Sequence, residues 1–130
     1  MKLWQSILLL GMLTACSGRS DPFYDENAGY KPSTVNNDFI VPLQAESEET
    51  KFSNPNILKG LKYNLKDVGG LQGLYPPMHY FEELERLGWM EQKEERMGHA
   101  HFFKKETTVM SVIVKEDFFH VYEMKKTKQK

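Results

Sequence analysis

Cysteine is almost missing from this chain: among 130 residues only Cys16 carries a thiol. A single cysteine closes no intramolecular disulfide and supplies none of the paired-thiol motifs that hold zinc or run redox chemistry. A charge excess is missing too. The 17 Lys and Arg side chains stand against 18 Asp and Glu, so no net field draws the chain to nucleic acid. Long hydrophobic runs are also lacking. The apolar stretch LWQSILLLGML at residues 3–13 is too short to span about 30 Å of hydrocarbon. Catalytic signatures are absent as well. The sequence has no HExxH, no nucleophile elbow surrounds Ser111, and Gly69-Gly70-x-x-Gly73 lacks the lysine of a phosphate loop. These absences predict a protein that is not an enzyme and carries no cofactor.

What is present begins at the amino terminus. Lys2 supplies a positive charge, residues 3–13 an apolar core, and Thr14 and Ala15 small side chains directly before Cys16. Charge, apolar core and small residues in that order make an export signal. The tetrad Leu13-Thr14-Ala15-Cys16 resembles the lipobox of bacterial lipoprotein precursors. The resemblance implies cleavage after residue 15 and a diacylglycerol on the Cys16 thiol, often with a further acyl chain such as palmitate on the new amino group. Each buried methylene contributes about 0.8 kcal/mol, so two or three chains anchor stably where one does not. The membrane is therefore the expected partner. Within this family, Ser17 after the cysteine is compatible with the outer membrane, facing the periplasm, in a Gram-negative cell. In other cells the protein would sit on the outer face of the cell membrane.

Residues 16–50 change composition. They hold Pro22, Pro32 and Pro42, with seven acidic side chains against Arg19 and Lys31, and show neither helical nor strand periodicity. Such a stretch is expected to be a flexible acidic tether, too poor in apolar surface to offset the entropy of ordering. Two apolar pieces, Phe23-Tyr24 and Phe39-Ile40-Val41, are exceptions. They either dock on the domain or a partner, or stay undocked.

Residues 51–124 are expected to form a small α+β domain, and residues 125–130 a basic disordered tail. Leu58, Leu61, Leu65 and Val68 recur at helical spacing behind Asn54 and Pro55, which favours a short helix. Gly60 and the alternation around Tyr63 argue for a strand instead. The stretch PPMHYFEELERLGW, residues 76–89, is predicted helical. Its stripe is Tyr80, Phe81, Leu84 and Leu87, with Gly88 ending it and Trp89 folding back. A doubtful polar strand at residues 90–96 and three strands at residues 99–105, 107–115 and 118–124 follow. Together they predict an antiparallel sheet of three to four strands with one or two helices on one face. The order HYFEELERLGW, HFFKKE, TVMSVIVK resembles a helix-plus-strands unit of uncharacterised bacterial envelope proteins. That resemblance implies a fold and no chemistry.

Candidate site residues are few. His99 and His101 are two apart, so a strand points both to one face, a spacing that suits a metal ion. His120 with Glu106 or Glu123 could complete such a site, although a simple meander separates His120 from His101 by a strand. The plainer expectation places all three histidines on the solvent face. The paired carboxylates Glu82-Glu83, Glu94-Glu95 and Glu116-Asp117 lack the unlike environments that acid–base work needs. Phe102, Phe103, Phe118 and Phe119 exceed what one core face requires, and each pair should turn one ring outward as a contact surface. The sequence thus predicts a non-enzymatic, lipid-anchored protein-interaction domain. The alternative is a metal- or small-ligand-binding lipoprotein using His99, His101 and His120.

Overall fold

The computed structural model describes residues 22–126, so the expected signal, Cys16, Ser17 and most of the basic tail lie outside the described residues. The fold is α+β. Strands β1 (Tyr30–Pro32) and β2 (Ile40–Pro42) pair as a small ribbon. A six-stranded antiparallel sheet contains β3 (Glu46–Glu48), β4 (Ile57–Asn64), β5 (Met90–Glu91), β6 (Ala100–Lys105), β7 (Thr108–Val114) and β8 (Phe118–Met124). Its order is β3-β4-β8-β7-β6-β5. Helix α1 (Met78–Arg86) and the β1–β2 ribbon cover one face.

Register decides which side chains meet the helix. His101, Val112, Val121 and Leu61 form one inward row across β6, β7, β8 and β4, while Val114, Phe119 and Tyr63 form another. Tyr80, Phe81 and Leu84 of α1 pack down onto these rows, as their shared helical stripe demands. Leu87, expected in the same stripe, is instead partly exposed. The helix stops as anticipated: Gly88 takes φ 99°, and the buried Trp89 donates its N–H to the Leu84 carbonyl at 2.9 Å.

Three expectations are corrected. The sheet has six strands rather than three to four, because β3 and β4 come from segments read as tether and helix. Along β4, Gly60 lies under the Tyr122 ring, where an added Cβ would sit 2.1 Å from the ring carbon Cδ1. The cross-strand partner β8 therefore outweighs the helical spacing of the leucines. Asn54, read as a helix cap, accepts the Asn56 N–H at 2.8 Å in a turn that leads into β4. The polar stretch at residues 90–96 pairs for only two residues and then turns through a short 3-10 segment, Lys93–Glu95.

The tether expectation fails for residues 22–50. Val35, Phe39, Val41 and Ala45 belong to the core. Ser33, fully buried, is partnered by the Tyr63 hydroxyl at 2.8 Å and the Val35 N–H at 3.1 Å. Average polarity misleads here because four apolar side chains, Val35, Phe39, Val41 and Ala45, are buried, and the buried polar group is hydrogen-bonded.

Candidate functional site

Alternation along β6 turns His101 and Phe103 inward and Phe102 outward. The two-residue strand β5 pairs Glu91 with Phe103, which brings its carboxylate to the same face. Glu91 Oε2 lies 3.1 Å from His101 Nδ1, and the two side chains are 9% and 4% exposed. The Phe81 ring sits against the imidazole at 4.8 Å between centroids. Burial holds the His101 pKa below its ordinary value, although the Glu91 hydrogen bond pulls upward. The imidazole is accordingly neutral at pH 7, with Nδ1–H donating to the carboxylate and Nε2 left as the acceptor.

This pair borders an open cleft of about 330 Å³ lined by Pro76, Met78, Phe81, Lys93 and Arg96 as well as Glu91 and His101. The lining joins two cationic side chains to an apolar wall. A carboxylate that orients a neutral histidine is half of an acid–base apparatus, but none of these lining residues carries a hydroxyl or thiol to act as nucleophile. The cleft thus presents two cationic side chains and an apolar wall beside the Glu91 carboxylate.

The histidines do not converge. His101 faces the core, whereas His120 lies on the opposite face of the sheet, stacked 5.5 Å from the Tyr122 ring. No group of three His, Cys, Asp or Glu able to hold a metal occurs among the described residues. The expectation that all three histidines face solvent fails at His101, and the shared site with His99 and His120 is not assembled. The carboxylates considered as partners are placed elsewhere. Glu106 occupies the β6–β7 turn at φ 55°, and Glu123 accepts a hydrogen bond from Asn36. The histidine's real partner, Glu91, carries no signal in the sequence, because its position depends on a two-residue pairing register.

Of the four phenylalanines expected at a contact surface, Phe103 and Phe119 are fully buried core residues. Phe102 and Phe118 are half-buried on the outer face. Phe118 lies under the Lys62 ammonium at 4.3 Å. Phe102 shares a hollow of about 390 Å³ with Gln92, Glu95, Met97, Lys104 and Val109. Beside it, Phe52 packs edge-on against Tyr122 at 5.6 Å, so a loop from residues 49–56 covers that part of the face. Neither a protein-family model, nor a curated protein, nor a solved structure matches this chain.

Proposed function

We propose that the chain is a lipid-anchored protein of the bacterial cell envelope that acts by binding another protein rather than by catalysis. The observation that carries the reading is Cys16 directly after Leu13-Thr14-Ala15, behind an apolar stretch headed by Lys2. With Ser17 following, a Gram-negative cell would send it to the outer membrane, on the periplasmic side. The partly exposed rings of Phe102 and Phe118, and the exposed Met97 beside the former, support the outer sheet face as the contact surface.

Replacing Cys16 by serine is expected to move the protein from the membrane to the soluble fraction and to abolish incorporation of labelled palmitate. Unchanged fractionation, or no palmitate in the wild type, overturns the anchor. A photocrosslinking side chain at Phe102 is expected to capture one envelope protein in intact cells. Absence of any adduct there counts against the contact face.

The cleft at His101 favours a second reading, a site for a small amphipathic anion. Lys93 and Arg96 would meet its charge and Phe81 and Met78 its apolar part. Titration with benzoate should then shift the His101 imidazole resonances, and Arg96→Ala should remove the shift. Resonances that stay put at millimolar benzoate would eliminate this reading.

A further inference from the structure

We infer that the pole of the domain around Pro22 faces the bilayer, with Phe23, Leu71, Leu74 and Tyr75 entering the lipid interface. The inference rests on the anchor proposed at Cys16 and adds an orientation to it. Cys16 and Pro22 are six peptide steps apart in the sequence. At 3.3–3.6 Å per step, a chain of that length reaches at most about 22 Å. A domain of about 100 residues has a radius of gyration of about 13 Å and is about 30 Å across. The leash is therefore shorter than the domain it holds. The half of the surface around Pro22 can touch the membrane, and the opposite half cannot.

Pro22 is fixed in the fold. Its carbonyl accepts the Lys66 N–H at 2.8 Å, and the Tyr24 N–H returns to the Lys66 carbonyl at 2.9 Å. Residues 65–73 are in turn fastened to the β7–β8 turn. Leu65 and Gly69 donate to the carbonyls of Asp117 and Glu116, each at 3.1 Å. Gly73 lies so close to Lys115 that an added Cβ would sit 3.0 Å from its Cα. Pro22, the loop and the turn thus share one end of the sheet.

That end displays exposed apolar side chains, with the Lys66 ammonium 5.7 Å from the Phe23 ring centre. Phe23, Leu71, Leu74 and Tyr75 are 59–66% exposed. Positive φ at Gly70, Gln72 and Gly73 twists the loop into a tight spur that carries the two leucines. Tyr75 at its base is a residue type favoured at membrane–water interfaces. Charge of both signs is present at this pole, Lys66 over the Phe23 ring and Lys115 in the β7–β8 turn standing against the neighbouring carboxylates. Those of Glu116 and Asp117 accept the Gln72 and Asp67 N–H groups. Burial of the apolar spur is what holds this pole down, so the contact should persist in high salt.

The test uses the full lipidated chain in phosphatidylcholine vesicles. Once Cys16 is acylated no native thiol remains, so a polarity-sensitive thiol dye reports only an introduced cysteine. Phe23→Cys and Leu71→Cys are compared with Leu58→Cys at the far end of β4, about 20 Å from Asn64 along the strand. At positions 23 and 71 the emission should shift to the blue, in low and high salt alike. Lipid-attached quenchers should dim it several-fold more than at position 58. Equal, water-like emission at all three positions overturns the inference, as does shielding that appears only in native membranes, which would identify a protein occupant. Dye attachment to the parent chain at Cys16 would instead mark failure of the anchor itself.

Discussion

Phe39→Ala is expected to cost the domain about 3–5 kcal/mol, the range for deleting a fully buried aromatic ring. Total stability of a small domain is only about 5–15 kcal/mol, so the variant should be at the edge of unfolding. Phe39 has no exposed surface. Its ring meets Trp89 edge-on at 5.0 Å and Phe103 at 6.2 Å. The neighbouring Asp38 carbonyl accepts the Trp89 indole N–H at 2.9 Å. Removing the ring therefore opens a cavity where the amino-terminal segment, the helix end and the sheet meet. Each kcal/mol lowers the melting midpoint of a domain this size by about 4–8 °C, so a drop of at least about 12 °C is expected by near-ultraviolet circular dichroism. The Cys16→Ser form, expected to be soluble, suits the measurement. Were residues 22–50 a tether, the midpoint would not move.

Acidification is expected to destabilise the domain through His101. Its folded pKa is depressed, first by burial and then by Arg96 and His99, with the Glu91 hydrogen bond opposing them. The unfolded chain therefore takes up a proton at higher pH than the folded one. The stabilising contribution is complete above the ordinary histidine value of about 6.5 and is lost as pH falls from there toward the depressed folded value. His120 shifts the same way, by burial and by its neighbours Lys62 and Lys115. The melting midpoint should fall as pH is lowered from about 7 to about 5, by the linkage relation. His101→Gln should flatten the slope and leave the share due to His120. An identical slope in wild type and variant would show that the Glu91–His101 pair takes no part.

The carboxy-terminal half was legible because its elements repeat one pattern each. Strand β8 coincides with the expected residues 118–124, since its inward Phe119 and Val121 alternate with outward Phe118, His120 and Tyr122. Helix α1 was marked by its stripe and by Gly88. Residues 57–64 misled because the same leucines satisfy a helical spacing, and only the Tyr122 ring lying over Gly60 decides for a strand. The ribbon β1–β2 was illegible for a different reason. Its strands are three residues long, shorter than any periodicity can register. Illegible too was Glu91: its approach to His101 is a product of how β5 registers on β6, a long-range fact that no local spacing encodes.

The sheet's two margins have a consequence for crowding. If the proposed anchor at Cys16 holds, copies would share one leaflet and collide side by side, and bare strand edges are what such collisions would zip together. Here one margin, β3, is three residues long and reads Glu-Ser-Glu, all exposed, while the other, β5, is only two residues long. Short or acidic borders of this kind repel or fail to template a neighbour. On that reading, these two borders would give anchored copies little to pair through.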